Sequence, residues 1–182
     1  MKTLNLVDLD KSDIKYKKIL FPDGQQQVVL TEMERSVAIE LRETRKIKLI
    51  SRLNNFQDLE LIVCATKSLR NLRVKEIHLY TPYFLGSRSD RQFEEGSNNY
   101  LKDVICPIIN SLNFESVTVL DPHSDVLEAC SNNFNKVSNL KLIKFALDDH
   151  SINKEGPLEK NVILVSPDAG ASKKIYKLAE QI

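Results

Sequence analysis

Three short polar segments carry the side chains best suited to chemistry: Arg88-Ser89-Asp90-Arg91, Asp121-Pro122-His123-Ser124-Asp125 and Ser166-Pro167-Asp168-Ala169-Gly170. Arginine presents a planar fork of donors that can clamp phosphate oxygens in pairs, which lysine cannot do equally well. The middle segment offers two carboxylates and an imidazole within five residues, a donor set that suits a divalent cation; Mg²⁺ would keep most of its own waters there. The third segment opens a helix, whose free N–H groups attract anions, and Gly170 and Ala171 allow close approach. Each segment also has a plainer reading. Asp121, Asp125, Ser166 and Asp168 can cap the helices that follow them, and the arginine segment can be a solvated surface loop. Its length, from Pro82 to Gly96, weighs against the last of these, because long structureless loops in compact domains are usually functional or mobile.

The elements that must position these segments follow from the apolar pattern. Glu76 to Thr81, Val117 to Leu120 and 162–165 are short apolar runs, and each leads into one of the polar segments. If the three strands are parallel, the segments share the carboxyl edge of one sheet, where open α/β sheets bind ligands. Helices are expected between them. Leu59, Ile62, Val63, Thr66 and Leu69 keep helical spacing behind a cap at Asn54 or Asn55. Leu101, Val104, Ile105, Ile108, Ile109 and Leu112 repeat the pattern behind Ser97, with Pro107 inside the stripe and therefore a kink or one lost backbone hydrogen bond. Asp125 to Ser131 reads as a short helix, Leu140 to Leu147 as a strand, Asp148 to Lys160 as a surface loop, and Gly170 to Ile182 as a helix with Ile175, Leu178 and Ala179 inward.

Before residue 50 the pattern is β-rich. Leu4 to Val7, Ile14 to Phe21, Gln27 to Leu30, Ser36 to Leu41 and Lys46 to Ile50 are strand-like, with turn chemistry at Pro22-Asp23-Gly24, and little helix between them predicts antiparallel pairing. From residue 50 onward, alternating strands and helices predict an α/β fold with a mostly parallel sheet covered on both faces, as a single domain over residues 1–182.

The 182 residues, 42% hydrophobic and 28% charged, suffice for one domain with a real core and exclude a disordered chain. A net charge of +1 provides no broad field to attract nucleic acid, so any anion site is local. Cys64, Cys106 and Cys130 lie in apolar segments without metal-ligand spacing and read as buried thiols in a reducing compartment. With no apolar stretch long enough for a signal or a membrane span, the expectation is a cytoplasmic protein with no membrane partner. His78, alternating with apolar neighbours, reads as structural.

The order of the motifs resembles the ribose-phosphate pyrophosphokinases, the enzymes that make phosphoribosyl pyrophosphate. Pro82-Tyr83 through Arg88-Ser89-Asp90-Arg91, then Asp121-Pro122-His123, then Ser166-Pro167-Asp168-Ala169-Gly170-Ala171 are similar to three successive motifs of that family. Phe21-Pro22-Asp23-Gly24-Gln25 is similar to a fourth, upstream of them. The resemblance implies a phosphoribosyltransferase-like sheet flanked by helices, with an antiparallel β-rich N-terminal part. It implies that Phe21 stacks on adenine with Asp23 and Gln25 hydrogen-bonded to it, reaching into a neighbouring subunit's site in a homo-oligomer. It implies that Arg88 holds the ATP phosphates with Asp90 and Arg91 nearby, and that His123 and Asp168 anchor Mg²⁺ directly or through water. The implied reaction transfers the β,γ-pyrophosphate of ATP to the 1-hydroxyl of ribose 5-phosphate and releases AMP.

Departures accompany the resemblance. Gln25 stands where the family has an acid, Pro122 where it has leucine, and Asp125 adds a carboxylate. The helix usual before the Phe21 motif is missing or much shortened. The basic flap, the ribose-phosphate loop and the C-terminal domain of the family do not occur in these 182 residues, since Asp148-Asp149-His150 has no glycine-rich sequel. The expectation is therefore the ATP-binding N-terminal part of a longer protein, inactive by itself. A non-catalytic regulatory or interaction homologue is the alternative, and an unrelated phosphate-binding α/β domain is a third.

Overall fold

A computed structural model describes residues 1–31, 45–123, 125–152, 163–166, 168 and 171–181. They fall into two compact units, Met1–Val137 and Ser138–Ile182.

The first unit is built on a five-stranded sheet of β1 (Lys2–Asn5), β4 (Lys46–Ile50), β5 (Glu76–Thr81), β6 (Ser116–Leu120) and β7 (Phe134–Val137), in that spatial order. Every pairing in it is parallel. A separate antiparallel hairpin joins β2 (Tyr16–Leu20) to β3 (Gln26–Leu30). The antiparallel expectation for the first fifty residues thus holds only for β2 and β3. β1 and β4 instead pair in parallel at one end of the main sheet. The strand expected at Ser36 to Leu41 lies outside the described residues.

Helix α1 (Phe56–Asn71) joins β4 to β5. A π-helical segment (Tyr100–Ile105) running into α2 (Cys106–Ser111) joins β5 to β6, and α3 (Asp125–Cys130) joins β6 to β7. All these crossovers advance the chain to the next strand in the same direction. Right-handed crossovers that never reverse must lie on one face of the sheet. The burial pattern agrees. Ile47, Leu49, Ile77, Leu79, Val117 and Val119 are buried and pack with Leu59, Ile62, Leu69, Leu101, Ile105 and Leu127 in one core. Their alternates Lys48, His78, Tyr80 and Thr118 are only half-buried. Among the described residues the three crossover helices pack on one face, and the residues of the other face are half-buried. His78 is nonetheless structural, with Nδ1 2.8 Å from Ser116 Oγ on the neighbouring strand.

Local signals explain the helices. Asn55 caps α1 by accepting from the Asp58 N–H at 2.9 Å, and the Asp58 carboxylate accepts from the Asn54 N–H at 2.8 Å. The cap expected at Ser97 belongs instead to Asn99, whose Oδ1 accepts from the Lys102 N–H at 3.0 Å, while Ser97 closes a turn on Glu94. The lost hydrogen bond expected at Pro107 is absorbed by the π segment: the chain runs in wide turns to Ile105 and then tightens, so that the missing N–H of Pro107 falls in the first turn of α2.

The second unit holds α4 (Leu140–Ile152) and α5 (Ser172–Ala179). The strand expected at Leu140 to Leu147 is a helix. Its short apolar run fits a period of 2 or of 3.6, and Ser138 decides the matter by accepting from the Leu140 N–H at 3.1 Å, as a helix cap does. Part of the loop expected from Asp148 belongs to α4 as well. The strand expected at 162–165 is not formed where described. Ile163–Ser166 is irregular, with Ile163 and Val165 exposed, and a parallel strand cannot form without a neighbour to bond. In α5, Ile175 and Leu178 are half-buried but Ala179 is exposed.

Candidate functional site

The chain leaves β5 through a loop that is anchored residue by residue. Thr81 Oγ1 donates to the Tyr83 carbonyl at 2.8 Å. Phe84 is 1% exposed and plugs the loop into the core. Gly86 follows in a left-handed conformation (φ +81°), where a Cβ would lie 3.1 Å from Tyr100 Cδ1 and 3.3 Å from Leu101 Cα. Only glycine fits both demands without strain. Ser87 is buried, the Ser89 carbonyl accepts from the Leu101 N–H at 3.1 Å, and Asn99 Nδ2 donates to the Asp90 carbonyl at 2.8 Å. Arg88 is exposed between Ser87 and Ser89, whose N–H groups donate to the Phe84 and Gly86 carbonyls at 3.1 and 2.7 Å. It makes no ion pair among the described residues, so its guanidinium is free to meet an anion. Asp90 is half-buried, and Arg91 lies over the Phe93 ring at 5.3 Å from its centre.

The next strand, β6, ends at Leu120, and Asp121 after it turns the backbone left-handed with a φ of +43°, a conformation aspartate tolerates better than most residues. Its N–H donates to the Val137 carbonyl at 2.8 Å and completes the ladder to β7. Pro122 is buried and His123 is exposed immediately after it. Because β5 and β6 are adjacent and parallel, the Arg88 loop and the His123 turn leave the same sheet edge. Asp125 starts α3, with Lys136 Nζ 3.8 Å from its carboxylate.

The Phe21-Pro22-Asp23-Gly24-Gln25 segment forms the turn of the β2–β3 hairpin. The Phe21 N–H donates to the Gln25 carbonyl at 2.8 Å, the Gly24 N–H to the Phe21 carbonyl at 2.9 Å, and the Gln25 N–H to Asp23 Oδ1 at 3.2 Å. Gly24 has a φ of +89°. Phe21, Asp23 and Gln25 are all exposed. Next to this turn, Gln26 bonds to Glu60 and to the Gln57 carbonyl in the first turns of α1. As α1 starts just beyond the carboxyl end of β4, the hairpin turn also sits at the carboxyl end of the sheet.

Asp168 belongs to the second unit. It is exposed, and its Oδ1 accepts from the Ala171 N–H at 2.8 Å, ahead of α5. The Ser166 hydroxyl donates to the Asp168 carbonyl at 2.6 Å. These bonds close a turn ahead of the helix, whose own N-cap is Ala171 and carries no side-chain cap hydrogen bond. No group of three or more His, Cys, Asp or Glu residues placed to hold a metal occurs among the described residues. The residues that the sequence reading did not single out are those that hold the Arg88 loop: Phe84, Gly86 and Asn99. The glycine and the asparagine were visible signals.

No family model matches the chain. A ribose-phosphate pyrophosphokinase of Saccharolobus solfataricus is 25% identical over 171 residues, which are 93% of this chain and 53% of that protein. The chain resembles the ribose-phosphate pyrophosphokinases. The crystal structure of phosphoribosylpyrophosphate synthetase from Mycobacterium smegmatis superposes with a TM-score of 0.73 over 95% of this chain and 54% of that one, at 16% identity. The chain spans about half the length of both pyrophosphokinase relatives. Among the described residues no helix is long and apolar enough to cross a membrane.

Proposed function

We propose that this chain supplies the ATP-binding half of a ribose-phosphate diphosphokinase, which moves the β,γ-pyrophosphate of ATP to ribose 5-phosphate. The observation that carries the proposal is Arg88, exposed and without an ion pair among the described residues, on a loop whose backbone is anchored at Ser87, Ser89 and Asp90 beyond the carboxyl edge of a parallel sheet. Phosphoryl transfer of this kind needs positioning and charge neutralisation more than covalent help. An arginine on an anchored backbone supplies the charge and limits where it can be presented. Asp90 and Arg91 flank it, and the Arg91 guanidinium is steadied by the Phe93 ring.

The Phe21 turn supports a nucleobase role. Its ring is exposed on a turn closed by three internal hydrogen bonds, and Asp23 and Gln25 offer polar edges beside it. In this reading the hairpin serves the site of a second copy. His123 and Asp168 are assigned to Mg²⁺, which when bound neutralises phosphate charge. His123 suits this, being exposed two residues after Asp121, and a cation that keeps most of its waters needs few protein donors. Asp168 would have to share its carboxylate with the Ala171 N–H.

The test is AMP release by the intact protein given ATP, Mg²⁺ and ribose 5-phosphate, with ATP binding to this chain followed by calorimetry. Arg88→Ala is expected to weaken ATP binding by about 10-fold or more, the worth of one lost charge-assisted contact. Absence of AMP from the intact protein would sink the catalytic reading. Retained ATP binding without AMP release would favour the second reading, a non-catalytic homologue, for which Gln25 and the engaged carboxylate of Asp168 speak.

A further inference from the structure

Cys106 and Cys130 are far apart in sequence but their Sγ atoms lie 2.9 Å apart. That is closer than two non-bonded sulfurs ordinarily rest, and a shift of less than about 1 Å separates it from the S–S bond length. Both are free thiols, Cys106 buried and Cys130 half-buried. The approach is held by more than the sulfurs. Asn110 lies one helical turn beyond Cys106 and so on the same face. Its Nδ2 donates to the Cys130 carbonyl at 2.9 Å, and its Oδ1 accepts from the Asn132 N–H at 2.9 Å. Asn110 therefore grips the backbone on both sides of Ser131 and fixes the end of α3 against α2.

We propose that Cys106 and Cys130 form a reversible thiol–disulfide pair that clamps α2 to α3 and closes a covalent loop around β6 and the His123 turn. The oxidant is a low-molecular-weight disulfide. The Cys130 thiolate, on the more accessible side, attacks one sulfur of the reagent and releases one small thiolate. The Cys106 thiolate then attacks Cys130 Sγ in the mixed disulfide, the protein S–S bond forms and the second small thiolate leaves. The two protein protons pass to solvent, and the two electrons reside in the two small thiols released. The order follows from burial: burial, followed by the hydrogen bond with Cys130, pushes the Cys106 thiol well above its ordinary range and leaves it a poor first nucleophile. Its local concentration beside Cys130 makes it an efficient second one. Cys64 sits elsewhere, donating to the Gln26 carbonyl at 3.3 Å, and has no thiol partner among the described residues.

The experiment equilibrates the native chain with oxidised glutathione, alkylates the remaining thiols and measures intact and peptide masses. The expected product has lost two hydrogens, carries label on Cys64 alone and gives a linked Cys106–Cys130 peptide. Its midpoint of thermal unfolding rises by roughly 5–10 °C and returns when a dithiol is added. In Cys106→Ser the glutathione adduct is expected to remain on Cys130, and in Cys130→Ser Cys106 stays unmodified while the fold persists. Alkylation of all three cysteines in the oxidised native chain, or a stable glutathione adduct on its Cys130, would overturn the proposal, and the native chain alone suffices to read either result.

Discussion

The two units of this chain contrast in how they use their apolar residues. In Met1–Val137, side chains from six strands and from all three crossover helices converge on one core running from Leu4 to Leu127. In Ser138–Ile182, Leu142 is 60% exposed, Phe145 72%, Ile163 86% and Val165 76%. The sequences do not differ correspondingly in apolar character. What differs is whether each apolar run has a partner: Ile77 and Leu79 sit on a strand bonded on both sides, whereas Ile163 and Val165 lie on no described strand. Hydrophobic residues stabilise a fold only through the surface they share.

The widest test of this contrast is a pair of truncations. Leu79→Ala is expected to cost about 2–5 kcal/mol in chemical denaturation, while Phe145→Ala costs less than about 0.5 kcal/mol. Equal losses would erase the contrast. Gly86→Ala probes the loop rather than the core. The left-handed backbone and the contacts with Tyr100 and Leu101 predict a loss of about 1–3 kcal/mol, together with weakened ATP binding if Arg88 is the phosphate clamp.

A pH titration sharpens the contrast further, since the groups held above their ordinary range lie in the first unit. Burial raises the Tyr16 phenol and the Cys64 and Cys106 thiols. A raised folded value favours the protonated form. Its stability contribution is complete below the unfolded thiol pKa of about 8.5 and is lost as pH climbs from there towards the folded value. Urea midpoints should therefore hold steady near neutrality and fall above about pH 9, by at most about 1.4 kcal/mol per pH unit from Cys106. Cys106→Ser should flatten the decline. The smallest effect expected is at the α1 cap, where Asn55→Ala costs about 1 kcal/mol, read as a lower midpoint with unchanged slope.

Legibility in the sequence divides along the same line. The runs around Ile77, Val117 and Leu59 have both strong periodicity and flanking turn or cap residues, and each forms the element expected. The run at Leu140 has an ambiguous period, and only Ser138 marks it as a helix start. β7 escaped notice because Phe134-Asn135-Lys136-Val137 is an edge strand, bonded on one side and largely exposed, which needs little apolar character. Which face the described crossover helices share depends on strand order, a long-range property that no local pattern encodes. At the site, the residue types that meet ligand were readable from chemistry and motif order. Of the residues that hold them, Gly86 and Asn99 are types that signal turns and caps, whereas Phe84 is legible only through its contacts across the loop.

The unbroken agreement between strand order and chain order also bears on how the molecule is assembled. Each strand after β4 finds its partner in the strand just made, across a single intervening helical segment. The chain need close only one short loop at a time, which lowers the entropic barrier relative to a sheet whose central strand arrives last. The sheet can therefore grow from β4 towards β7 as residues emerge during synthesis, with β4 as its template, and β1 is the one strand that must wait for a distant partner.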